Sequence, residues 1–177
     1  EHHFLINRYG VLFHEMRASD LVRIDAEGRV VEPAAANGDG DPARRRVNAA
    51  GFTIHSAIHM ARPDLCCVIH THTAAGSAVS AQRHGLLPIS QHALKFHERI
   101  GYHDYEGIAL DLGERERLIR DLGPHSAMIL RNHGLLAAAR SVAATFQHIY
   151  LLEPACQIEV RALAGNAELI LPPEAVR

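Results

Sequence analysis

No stretch of this sequence approaches the roughly 20 consecutive apolar residues that a membrane-spanning helix needs. A charged-then-apolar leader is also missing at its start, so nothing points to secretion and the cytoplasm is the default compartment. Cysteine is scarce, with 3 in 177 residues. Two of these are adjacent, which is no disulfide framework. Cys66 and Cys67 would face opposite sides of one strand and read as small buried hydrophobes. Neither sign of charge dominates, since the formal net charge is -2 and the pI about 6.7. That balance gives no global attraction to nucleic acid or to an anionic membrane. A Gly-rich dinucleotide fingerprint, a P-loop lysine motif and a Gly-x-Ser-x-Gly elbow are all lacking, as are internal repeats and low-complexity tracts. Hydrophobic content of 47% and charged content of 21% are ordinary for a globular chain. The length is most simply one domain, residues 1–177, with room for one good core.

Histidine is abundant instead, with 14 in the chain. The stretch Cys66 to Gly76 runs from an apolar strand pattern into His70-Thr71-His72 and then into small residues of helical type. Strand side chains alternate faces, so His70 and His72 present two imidazoles side by side where the strand ends. That is half of a metal site, because a catalytic zinc-type site uses about three protein ligands and keeps one position open. A second apolar run, Ala127 to Leu130, leads to Asn132-His133-Gly134. If the two runs neighbour each other in one sheet, His133 falls close to the pair. His2, His3, His14, His55, His59, His84, His92, His97, His103, His125 and His148 compete with it on spacing alone.

Read in order, Phe4 to Asn7 and Ser19 to Asp25 are strand-like, and Asp25-Ala26-Glu27-Gly28 is a turn returning through Arg29-Val30-Val31. Glu32 to Arg46 is a loop, its Arg44-Arg45-Arg46 triplet a solvated feature. Asn48 caps a helix from about Ala50 to Ala61, stopped by Arg62-Pro63. After the Cys66 to His70 strand, Thr73 caps a helix from about Ala74 to Arg83. A short helix from Ser90 or Gln91 to about His97 follows, then the polar cluster Tyr102 to Gly107 in a connecting segment, and a strand-like Ile108-Ala109-Leu110. Glu114 to Leu122 is an amphipathic helix closing at Gly123-Pro124. The final helix, about Val142 to Ala164, places Phe146, Ile149, Cys156 and Leu163 on one side, with Pro154 expected to kink or split it. This order predicts an α/β protein, a mixed sheet covered by helices.

Several segments together resemble the class II aldolase/adducin family: Phe4-Leu5-Ile6-Asn7-x-Tyr9-Gly10, Ala50-Gly51-Phe52-x-Ile54-His55, Arg62-Pro63-Asp64, His70-Thr71-His72-Thr73, Gly85 to Ser90, Tyr102 to Gly107 and Asn132-His133-Gly134-Leu135. They stand in family order from about Phe4 to Ala164, and are closest in flavour to the adducin-like branch. The resemblance implies a three-layer α/β/α fold with a central, largely antiparallel mixed sheet, and helices before Phe4 that this chain does not show. It implies that His70, His72 and His133 bind a divalent metal, zinc first and iron or manganese as alternatives. It also implies a homo-oligomer, a fourfold tetramer favoured, with a small-molecule substrate and neither nucleic acid nor membrane as partner.

Family aldolases place an acid/base glutamate four residues before the histidine matching His55, with two serines just ahead of it for substrate phosphate. Here that stretch is Ala49-Ala50-Gly51. The metal ligands are therefore expected without the sugar-phosphate apparatus. The first reading is a metal-dependent lyase-type enzyme, performing aldol cleavage or decarboxylation on a small hydroxy- or oxo-compound that is not a sugar phosphate. Its acid/base would be Glu98, His103 or Tyr105. The alternatives are a non-catalytic adducin-like association module and a three-histidine iron oxygenase.

Overall fold

The computed structural model describes residues 2–31, 46–108 and 111–177. The sheet at its centre has four strands in the order β3-β6-β5-β4. These are β3 (Cys67–Thr71), β4 (Gly101–His103), β5 (Ala127–Leu130) and β6 (Gly134–Ala139). β6 is antiparallel to both its neighbours, and β5 pairs β4 in parallel. A separate antiparallel hairpin joins β1 (His3–Asn7) to β2 (Leu21–Asp25).

Helices cover both faces of the larger sheet. On one side lie α1 (Ala49–Ala61) and α4 (Glu114–Leu122), and on the other α2 (Ala74–Ser80), α3 (Gln91–Leu94) and α5 (Val142–Leu163). The alternation of strand side chains divides the interior accordingly. Met128, Leu130, Leu136 and Ala138 join Ile54, Ile58, Leu118 and Leu122 in one core. Ala127, Ile129, Leu135 and Ala137 join Val79, Phe96, Ile149, Leu152 and Cys156 in the other. The architecture is the three-layer α/β/α arrangement with a mixed, largely antiparallel sheet that the sequence led us to expect, with two cores about the sheet and a third cluster, Ile6, Val22 and Ile24, at the hairpin in place of one core.

Local chemistry sets most helix starts. Asn48 accepts from the Ala50 N–H at 3.1 Å, Thr73 from Gly76 at 3.2 Å and Ser90 from Ala93 at 3.1 Å. Each satisfies an amide that has no partner within its helix. Gly123, with φ +53°, ends α4. The Asp25 turn also forms, its carboxylate accepting from the N–H groups of Glu27 and Arg29.

Other expectations are corrected. The central strand β6 was absent from the predicted order, because Leu-Leu-Ala-Ala-Ala carries neither alternation nor β-branched residues. It forms because strands flank it on both sides and helices cover both its faces, so all six residues are buried. Tyr102 and His103 belong to strand β4, not to a connecting segment; three residues are too few to show a period. Ala109 and Leu110 of the expected third strand lie outside the described residues, as does the expected loop up to Arg45, and Ile108 is exposed. The Arg29 to Val31 arm makes only a single bridge, Ile24 to Val30. The helix after β3 stops at Ser80 and the one after Ser90 at Leu94, both short of the expected ends.

Cys66 is exposed and Cys67 half-buried, since β3 lies at the sheet edge; only Cys156 is buried. Helix α5 continues through Pro154 without dividing. Its inward face runs through Thr145, Ile149, Leu152, Cys156 and Glu159, while Phe146 is 58% exposed. Two satisfied polar residues on that face displaced the apparent apolar phase. Thr145 donates its hydroxyl to the carbonyls of Cys67 and Ser141, and Glu159 accepts from the Leu87 N–H at 2.7 Å.

Leu136 is fully buried in the middle of the sheet. Its replacement by Ala is expected to cost about 2–5 kcal/mol of unfolding free energy, measured by urea titration, by leaving a cavity that the sandwiched strand cannot close.

Candidate metal centre

The first two histidines come from the end of β3 and the residue beyond it. The third, His133, sits in the tight turn between β5 and β6. β3 and β5 are not neighbours: β6 lies between them. What brings His133 to the pair is the turn, held beside the end of β3 by the pairing of Thr71 with Leu135 and of Leu130 with Gly134. A Cβ at Gly134 would come within 2.3 Å of the Thr71 carbonyl oxygen. Only glycine permits this approach without displacing backbone.

The three Nε2 atoms converge. His70 Nε2 lies 2.7 Å from His72 Nε2 and 3.3 Å from His133 Nε2. The ring centroids are 4.6, 4.7 and 4.5 Å apart, with every pair of planes steeply inclined. Tetrahedral bonds of 2.0–2.1 Å to one cation would set nitrogens about 3.4 Å apart. The 3.3 Å separation matches this, and the shorter one requires only a small spreading of the rings. Among the described residues, these three are the cluster of metal-ligating side chains.

His70 is prepared for ligation by its other nitrogen. Nδ1 lies 2.9 Å from the Leu135 carbonyl oxygen, which can only accept, so Nδ1 carries the proton and the Nε2 lone pair faces the other two rings. Burial pushes His70 down to about 3, and the neighbouring imidazoles His133, His72 and His55 push the same way against the Leu135 carbonyl. Burial, then His72 and His103, lowers His133 as well. Both rings are therefore neutral at pH 7, the form a metal requires. The donor set thus fits a divalent cation of borderline softness.

The three acid/base candidates fall in different settings. The Tyr105 ring is 6.3 Å from that of His133 and 54% exposed. His103 is buried with both nitrogens engaged, Nδ1 at 2.8 Å from Asp121 and Nε2 at 3.3 Å from Glu114. It ties β4 to α4. Glu98 is exposed, in a turn with φ +56°, and makes no hydrogen bond or ring contact with the three histidines.

Supporting residues escaped the sequence reading. The Thr73 hydroxyl, next to His72, donates to Glu153 of α5, whose other oxygen accepts from Gln157 at 2.9 Å. Ser77 and Ser80 of α2 hold the main chain of His133. Thr73 was read only as a helix cap within His70-Thr71-His72-Thr73, and for Ser77 and Ser80 only the small-residue character of α2 hinted at close packing. A cavity of about 590 Å³ lies elsewhere, between the β1–β2 hairpin and α1, and includes His55 and His59 but none of the three clustered histidines.

Residues 1–160 match the Class II Aldolase and Adducin N-terminal domain, and the chain belongs to that family. It is 47% identical over 178 residues to the "Putative aldolase class 2 protein" of Caulobacter vibrioides, covering 100% of this chain and 66% of that protein. It is also 47% identical over 166 residues to alpha-adducin of Rattus norvegicus, covering 93% of this chain and 22% of that protein. The chain thus spans just under two thirds of the first relative and about a fifth of the second. The crystal structure of an aldolase II superfamily protein from Pseudomonas syringae superposes with a TM-score of 0.89 at 56% identity, over 98% of this chain and 67% of that one. L-fuculose 1-phosphate aldolase from Glaciozyma antarctica gives 0.82 at 31% identity, over 98% and 64%.

His55 yields a prediction. Burial and then the charge of His59 push it down to about 4. The unfolded chain, with an ordinary imidazole, binds more protons between that value and about 6.5, so stability is full above pH 6.5 and falls as the solution is acidified toward 4. Urea midpoints at pH 7 and 4.5 should show this loss, and His55→Gln should remove up to about 2–3 kcal/mol of it.

Proposed function

We propose that this chain is the core of a metal-dependent lyase-type enzyme, performing aldol cleavage or decarboxylation of a small hydroxy- or oxo-compound. The carrying observation is the convergence of three Nε2 atoms with the His70 tautomer set by the Leu135 carbonyl. His70, His72 and His133 would hold the metal, zinc first, with iron and manganese as alternatives. A divalent cation there supplies Lewis acidity toward substrate oxygens, the usual means of easing C–C cleavage beside a carbonyl.

The rest falls to side chains. Tyr105 takes the proton-transfer role, because its ring lies 6.3 Å from that of His133 and is 54% exposed. His103 positions the segment that carries Tyr105, since its nitrogens are spent on Asp121 and Glu114. Glu98 stands second for proton transfer. The relationship to an L-fuculose 1-phosphate aldolase supports aldol chemistry. Ala49-Ala50-Gly51 at the start of α1 offers neither hydroxyl nor carboxylate, which supports an unphosphorylated substrate. His72 is exposed, which supports a homo-oligomer whose next copy covers it.

An adducin-like association module is the second reading, favoured by the missing carboxylate at Gly51 and the identity to alpha-adducin. Metal content separates the two. The purified protein should carry about one divalent ion per chain, lost in His70→Ala and His133→Ala. Tyr105→Phe should keep the metal and lower kcat by about 10²–10⁴ on unphosphorylated aldol substrates. A wild type that takes up no zinc on dialysis rules out the enzyme reading.

A further inference from the structure

His133 is held differently from His70. His70 is fixed through its ring, by the Leu135 carbonyl. Among the described residues no hydrogen bond reaches Nδ1 of His133; its ring meets the other two imidazoles and Tyr105, and its remaining hydrogen bonds are those of its main chain. That main chain belongs to a turn, where a ligand would ordinarily be mobile.

Helix α2 supplies the restraint. The His133 N–H is shared between the Leu130 carbonyl, which closes the turn, and Ser80 Oγ, each at 3.1 Å, and Ser77 Oγ donates to the His133 carbonyl at 3.1 Å. Ser80 Oγ gives its own proton to the Ser77 carbonyl at 2.7 Å, which orients a lone pair toward His133. The Ser80 carbonyl accepts from the preceding Asn132 N–H at 3.1 Å, holding that residue at φ +54°. Ser80 is 1% exposed, so these bonds are shielded from competing water. The helix can lie this close because a Cβ at Gly76 would meet the Leu135 side chain at 2.6 Å.

One residue thus has its N–H and its C=O gripped by two hydroxyls three positions apart on a neighbouring helix. We propose that Ser77 and Ser80 are positioning residues that hold His133 in ligating geometry, so that α2 sets the affinity of the centre without touching the ion. This rests on the metal reading of the three histidines. Hydrogen-bonded supports of metal ligands commonly set affinity by 10–100-fold.

The test uses purified wild type and the variants Ser80→Ala, Ser77→Ala, Ser77→Thr and Ser56→Ala. Ser56 is a buried serine of α1 whose hydroxyl donates to Thr53 within its own helix, so it controls for the loss of any buried hydroxyl. Zn²⁺ and Co²⁺ affinities are measured by competition with a chromophoric chelator, along with the Co²⁺ visible spectrum and amide exchange at His133 without metal. Ser80→Ala should weaken binding about 10–100-fold, alter the Co²⁺ spectrum and speed exchange at His133. Ser77→Ala should act in the same direction, Ser77→Thr should restore affinity, and Ser56→Ala should leave it unchanged.

Wild-type affinity and spectrum in both alanine variants would overturn the proposal while leaving the metal reading intact. A wild type that binds neither ion overturns both. If Ser80→Ala fails to fold by circular dichroism, the half-exposed Ser77 decides: unchanged affinity and exchange in Ser77→Ala refute the clasp, and weakened binding with rescue by Ser77→Thr supports it.

Discussion

The approach of Gly134 to the Thr71 carbonyl is the contact on which the rest of the centre depends. It lets the β5–β6 turn lie beside the end of β3, although β6 separates the two strands. Any side chain there would push His133 away from His70 and His72, so a single backbone-to-backbone contact sets the size of the triangle of imidazoles. The same registry places the Leu135 carbonyl against His70 Nδ1. One strand pairing therefore controls both the position of one ligand and the tautomer of another.

Around that contact the fold is a device for rigidity. β6 is buried on both faces and hydrogen-bonded on both edges, so its first residues have little freedom. Helix α2 packs against β6 through its small residues and begins two residues after His72, so one short element braces both sides of the centre. Glu153 and Glu159 carry the polar contacts of α5 inward, to Thr73 and to the Leu87 amide. A buried carboxylate is tolerated at Glu159 because backbone and imidazole donors satisfy it, though burial still pushes its proton affinity up.

Elements whose cause is local could be read from the chain. Asn48, Thr73, Ser90 and Gly123 mark helix ends by hydrogen bonds and dihedrals within a few residues, and α4 and β5 have the bounds their patterns suggested. β6 and β4 could not be read, since their strand character comes from neighbours distant in sequence. The inward face of α5 departs from its apolar pattern because Thr145 and Glu159 are buried by virtue of partners at Cys67 and Leu87. Cys66 and Cys67 read as interior residues, yet an edge strand leaves them open.

By itself the sequence determined which three histidines to bring together, the helix caps, the family and the lack of acid and hydroxyl side chains at Ala49-Ala50-Gly51, because residue type and short spacing carry all of these. Only the tertiary structure decided that three imidazoles meet and which nitrogen of His70 is free. Those outcomes turn on strand order and on distances between residues more than sixty positions apart in the chain, and pairing across a sheet leaves no mark in local composition.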